Sequence, residues 1–123
     1  MKRRIYYNNT DAGGVVYHTE YIKFCEQARS EIFFQKGINF TQNSGYVVKE
    51  LNAKYIKSAK LGDLIEIKTS LIKLKNASIT LLQEIFLKNE KIFSLNITLV
   101  YIENGKISKI PKKHLEVLNE FKK

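Results

Sequence analysis

With 123 residues, 44% of them hydrophobic and 27% charged, the chain can bury one core and is too short for two of ordinary size. One proline and six glycines exclude a long disordered linker, and a lone cysteine, Cys25, excludes an internal disulfide or CxxC site and suits a reducing compartment. Twenty-one basic residues against twelve acidic ones leave a formal charge of +9, which points to a polyanionic partner such as nucleic acid, an anionic membrane surface or a phosphorylated ligand.

The N-terminal Lys2-Arg3-Arg4 is followed by the polar run Tyr6-Tyr7-Asn8-Asn9-Thr10-Asp11, not by the apolar stretch of a signal peptide. No segment approaches the roughly 20 apolar residues of a membrane-spanning helix, so the chain reads as soluble and cytoplasmic. Arg4 to Tyr7 reads as a short strand, and Asn8 to Gly14 as turn-rich. From Thr19 to Lys36 the period is helical, with Ile22, Cys25, Ala28/Arg29 and Ile32/Phe33 three to four residues apart, Glu20 near the start and Gly37 as a stop. After Gly45 the period falls to two. Val47 to Tyr55, Leu64 to Leu74, Ile79 to Lys88 and Ile92 to Ile102 read as strands, with turns at Asn76-Ala77, Asn89-Glu90 and Asn104-Gly105. His114 to Phe121 closes the chain as a short helix. One helix cannot cover both faces and both edges of such a sheet, so self-association is expected.

Chemistry concentrates between Tyr6 and Tyr21. Asp11 stands in a glycine-rich turn, seven residues before His18 and at the entry to the helix. Gly13-Gly14 lets backbone approach a ligand closely, and a helix start offers unpaired N–H groups and a positive dipole end that suit a developing oxyanion. A carboxylate beside them can attack a carbonyl or activate water. From spacing alone, a turn aspartate making local hydrogen bonds, with the glycines needed only for positive φ, is the reading that comes first.

The run Tyr7-Asn8-Asn9-Thr10-Asp11-Ala12-Gly13-Gly14-Val15-Val16-Tyr17-His18, followed by Tyr21-Ile22-Lys23-Phe24 and Glu26-Gln27-Ala28-Arg29, resembles the 4-hydroxybenzoyl-CoA thioesterase family and is most similar to its Tol-Pal system-associated acyl-CoA thioesterase branch. The resemblance spans the chain and implies an α+β hotdog fold, a five-stranded antiparallel sheet wrapped around one long central helix, with residues 1–123 a single hotdog thioesterase domain. It implies hydrolysis of acyl-CoA to free acid and CoA, with no cofactor expected; no metal is expected either, because His18, Asp11, Glu20 and Glu26 show no recognised ligand spacing. Asp11 takes the place of the family's catalytic aspartate, as nucleophile or general base. His18 stands where a backbone N–H at the helix start polarises the thioester carbonyl, and Tyr7 lines the site. In the family, CoA phosphates are held around the hairpin between the third and fourth strands, where this chain has Lys73, Lys75, Asn76 and Ser78. The family dimerises by joining two sheets, with active sites at the dimer interface, and dimers often pair into tetramers.

The partners expected are therefore an acyl-CoA substrate and further copies of the chain, with peripheral membrane contact left open. A thioesterase for acyl-carrier-protein substrates is the alternative, followed by a noncatalytic acyl-thioester-binding module or a nucleic-acid-binding module. The last would need a concentrated patch or stacking aromatics among the lysines. An acyl-CoA hydratase or dehydratase would need a different Asp/His or Glu/His pattern. Cys25 reads as core, His114 as a surface residue, and Glu26 with Arg29 as an ion pair on the helix.

Overall fold

The computed structural model describes residues 1–123. Strand β1 (Lys2–Arg4) leads through a short 3-10 turn (Tyr7–Asn9) to helix α1 (His18–Phe34). Four long strands follow: β2 (Ser44–Tyr55), β3 (Leu64–Leu74), β4 (Ser78–Leu87) and β5 (Glu90–Glu103). A two-residue strand β6 (Lys106–Ile107) and helix α2 (Lys112–Asn119) complete the chain. The order across the sheet is β1-β3-β4-β5-β2, every pair antiparallel, with β6 added to β5. This is the expected five-stranded α+β architecture, with β6 as an addition.

The period-two pattern works as anticipated. On β5, Phe93, Leu95, Ile97, Leu99 and Tyr101 all turn towards α1 and are buried. Bulges at Lys49, Ile72 and Ile92 break the register and curl the sheet about the helix. The β4–β5 turn is Lys88-Asn89, one residue earlier than expected, with both residues at positive φ, as the tight turn between right-twisted strands demands.

Helix α1 buries Tyr21, Phe24, Cys25, Ala28 and Phe33. The stripe enters the core on Tyr21, which stacks on Phe93 at 5.3 Å, while Ile22 is only half-buried. The expected Glu26–Arg29 ion pair does not form. Arg29 turns inward, where its Nη1 donates to Gln83 Oε1 at 3.3 Å. Gln83 lies fully buried under the helix and donates through Nε2 to the Cys25 carbonyl at 2.9 Å and Thr69 Oγ1 at 3.1 Å.

His114 is not a surface residue. Its Nδ1 lies 2.9 Å from Tyr46 Oη, and its ring packs among Phe33, Phe40, Tyr46 and Tyr101. An apolar cage with one hydroxyl partner costs an imidazole little while it is neutral, and burial lowers the His114 pKa.

The two edges of the sheet differ. The outer edge of β3 is closed by both ends of the chain. Strand β1 pairs with Leu64–Glu66, the Ile67 N–H donates to the Met1 carbonyl at 2.7 Å, and the Leu71 N–H donates to the Phe121 carbonyl at 2.6 Å. Strand β2 has β5 on one side and no strand on the other.

Candidate active site

Asp11 sits in a loop closed by its own backbone. Thr10 bridges Val16, the Asp11 N–H donates to the Val15 carbonyl at 2.9 Å, and the Gly14 N–H donates to the Asp11 carbonyl at 3.1 Å. Asp11 Oδ1 accepts the N–H groups of Gly13 at 2.8 Å and Val15 at 3.3 Å. Oδ2 accepts none within the chain and the residue is exposed, so the carboxylate is fixed by one oxygen and unpaired at the other. The backbone at Gly14 favours glycine, and Gly13 leaves room for the carboxylate. Gly14 has φ +77°, and a Cβ on Gly13 would stand 3.3 Å from Asp11 Oδ1.

The loop feeds directly into α1. Tyr17 caps the helix without a side-chain bond, its own N–H donating to the Asn9 carbonyl at 3.0 Å, and the Glu20 N–H turns back to the Tyr17 carbonyl at 2.9 Å. The N–H groups of His18 and Thr19 have no acceptor in the chain. Two free donors at the positive end of a 17-residue helix form a ready site for negative charge on a carbonyl oxygen. The His18 imidazole is exposed, lying against Tyr17 at 4.6 Å and edge-on to Tyr55 at 6.4 Å, and Tyr55 Oη donates to the His18 carbonyl at 3.1 Å.

Two buried side chains join loop to helix. Asn9 Oδ1 accepts the Tyr6 N–H at 2.9 Å, and Asn9 Nδ2 donates to Glu20 Oε1 at 3.0 Å. Lys23 reaches the other Glu20 oxygen at 3.1 Å. The Asn9 bond, with help from Lys23, holds the Glu20 carboxyl below its usual range against the opposing effect of burial. The sequence places Asn9 in the motif and Glu20 at the helix dipole, but nothing in their spacing announces the bond across the loop.

Tyr7 is 81% exposed and its hydroxyl makes no hydrogen bond, while its carbonyl takes the Thr10 N–H and hydroxyl. Lys73, Lys75 and Ser78 line one polar groove of about 160 Å³ with Lys49, Thr80, Thr98 and a single carboxylate, Glu50. Asn76 lies outside that lining, its carbonyl taken by the Ile110 N–H. The groove is at the far end of the sheet from Asp11. Tyr55, beside His18, pairs with Phe93, whereas Ser78 pairs with Val100, roughly 23 Å along β5 at about 3.3 Å per residue. One subunit does not bring Asp11 and the lysines together. Cys25 is fully buried, and burial pushes its thiol up to about 12, which leaves no thiolate for chemistry. Nowhere do three His, Cys, Asp or Glu side chains gather.

Residues 13–93 match the Thioesterase superfamily. The chain is 35% identical to an acyl-CoA thioesterase, YbgC, of Helicobacter pylori, over 97% of this chain and 98% of that one. Among solved structures, a hypothetical protein from Aquifex aeolicus superposes with a TM-score of 0.88 at 30% identity, covering 96% of this chain and 97% of the other. A probable thioesterase from Bartonella henselae superposes with a TM-score of 0.84 at 28% identity, covering 90% and 97%.

Proposed function

Because the chain belongs to the thioesterase superfamily, we propose that it hydrolyses acyl-CoA thioesters, with Asp11 as the reacting carboxylate and the start of α1 as the oxyanion site. The observation that carries this reading is the pairing of a carboxylate held by one oxygen and unpaired at the other with two unpaired N–H groups, on a loop and helix start locked together. A thioester carbonyl that accepts from His18 and Thr19 N–H becomes more electrophilic, and the charge that develops on its oxygen is met by donors already in place. Asp11 Oδ2 then attacks the carbonyl carbon, or takes a proton from a water that does so. Attack by Asp11 breaks the C–S bond and leaves an acyl anhydride on Asp11 that water then hydrolyses, whereas attack by water breaks the same bond and gives the acid directly; in both, the departing CoA thiolate takes up the proton that water gives up.

The CoA half requires a second subunit on this reading. Two-fold pairing of the open β2 edge with itself is antiparallel, so the Tyr55 end of one subunit meets the Val47 end of the other. Lys73, Lys75 and Ser78 of one copy then approach Asp11 of the other, with Lys49 a further candidate for the phosphates. No helix is long and apolar enough to cross a membrane. The single buried thiol is compatible with the reducing cytoplasm.

A panel of short, long and aromatic acyl-CoA esters, with released thiol followed by a colour reagent, tests the activity. Asparagine at position 11 keeps the shape of the loop and loses the nucleophile and base. Asp11→Asn should therefore fold normally and lose at least about 10²-fold in kcat. Turnover near the wild-type rate would remove Asp11 from the chemistry.

A further inference from the structure

Residues 106–113 read Lys-Ile-Ser-Lys-Ile-Pro-Lys-Lys, four lysines without an acid. All four are exposed, and none enters an ion pair. Lys112 and Lys113 open α2, whose first turn holds no acidic residue. Cations there oppose the helix dipole and cost the helix stability, so folding alone does not explain them. Between the lysines Ile107 is 70% exposed, just beyond the tight turn at Asn104-Gly105.

The segment is nevertheless rigidly held. Ile110 is buried, its N–H donating to the Asn76 carbonyl at 3.0 Å, and the Ser108 N–H donates to the Tyr101 carbonyl at 3.0 Å. Ile110 is thus the inward anchor and Ile107 the outward tip. On β5, Ile102 and Glu103 pair with Gly45 and Ser44 of β2 on one side and with Ile107 and Lys106 on the other. The finger therefore projects on the side of β5 away from β2 and stays free when β2 edges join.

We propose that this finger docks the protein on an anionic lipid bilayer. Ile107 enters the boundary between headgroups and acyl chains, and Lys106, Lys109, Lys112 and Lys113 lie against lipid phosphates. An exposed isoleucine on a short segment that carries four exposed lysines suits a charged surface over an apolar interior. A nucleic-acid site would call for stacking aromatics or arginines among the lysines, and the chain's three arginines, Arg3, Arg4 and Arg29, lie elsewhere in the sequence. The inference does not depend on the thioesterase reading, because its readout is binding.

The test is co-sedimentation of the full chain with vesicles of phosphatidylcholine alone or mixed in equal parts with phosphatidylglycerol. Binding is expected on the anionic vesicles and should weaken as salt is raised. A Lys109→Gln/Lys112→Gln/Lys113→Gln variant should bind them on the order of 10²-fold more weakly, at around 1 kcal/mol per cation near the surface. Ile107→Ser should lose about threefold or more. Both variants should be at least as stable as the wild type, the triple variant having lost two cations that oppose the α2 dipole, and should keep its rate on soluble acyl-CoA, which separates a failure here from a failure of the thioesterase reading. Equal or absent binding on the two vesicle types would overturn the proposal, as would no loss in the triple variant. Loss in the triple variant with Ile107→Ser unchanged would overturn it too, leaving a site for polyanions at large, an acidic carrier protein among them.

Discussion

At the scale of single residues, side chain and main chain divide the work at the start of α1. The His18 imidazole makes no hydrogen bond and lies exposed against Tyr17 and Tyr55, whereas the His18 N–H is a free donor. Alanine keeps that N–H. His18→Ala should therefore lose clearly less activity than Asp11→Asn in steady-state kinetics, with circular dichroism as the folding control. An equally dead His18→Ala would make the imidazole a chemical participant. The Asn9–Glu20 bond gives a sharper test of positioning. Asn9→Asp would set a second carboxylate about 3 Å from Glu20 and remove the donor, at a cost of about 1–3 kcal/mol in thermal unfolding and a fall in kcat. Glu20→Gln in the same chain supplies an amide donor from the other side and should restore most of both. If the double variant stays as impaired as Asn9→Asp, hydrogen bonding across the loop is not what holds the helix start.

At the scale of elements, what the sequence revealed follows from how local each signal is. Strand periods, the tight turn at Asn104-Gly105 and the place of Asp11 before a helix all lie within a dozen residues, and each appears in the structure with ends shifted by at most three residues, β3 not at all. The caging of His114, the inward turn of Arg29 to Gln83 and the Asn9–Glu20 bond depend on distant elements meeting, and no pattern along the chain carries them. His114 links that tertiary packing to pH. Its folded pKa lies below the ordinary value of 6.5 because burial disfavours the imidazolium, although Glu103 pulls the other way. The unfolded chain then binds the proton more readily, so the contribution of this cage is complete above about pH 6.5 and is lost as pH falls through the folded pKa. The melting temperature should drop more between about pH 7 and pH 5 in the wild type than in His114→Gln, which removes the titrating group. Parallel pH profiles for the two proteins would show that docking of α2 does not depend on a neutral imidazole.

At the scale of the molecule, the unequal edges carry the argument for assembly. The β3 edge is closed by the chain's own termini, whereas β2 is open along its length. Val48, Leu51 and Tyr55 pair with Leu99, Ile97 and Phe93 and so share the face that α1 covers, yet they remain 44%, 42% and 49% exposed because the helix covers β2 only in part, through Tyr21 on Tyr55 and Phe33 on Tyr46. Burying each remaining half against a second copy gains roughly 1 kcal/mol, and two-fold symmetry doubles the set. We therefore predict a dimer through β2 as the smallest active unit, with a tetramer as its natural extension. Leu51→Lys should shift light scattering towards monomer and cut kcat/KM with it. A stable wild-type monomer, active at micromolar concentration, would end this account. Subunit mixing then asks whether each site is shared. Lys73→Ala/Lys75→Ala should raise KM more than it lowers kcat, since the phosphates are remote from the thioester. Below KM that variant and Asp11→Asn are both poor enzymes. If Asp11 works with the partner's lysines, half of the randomly mixed dimers hold one site with both defects and one with neither, so about a quarter of all sites regain full activity. If the lysines serve Asp11 of their own subunit, mixing restores nothing, because every site keeps one defect.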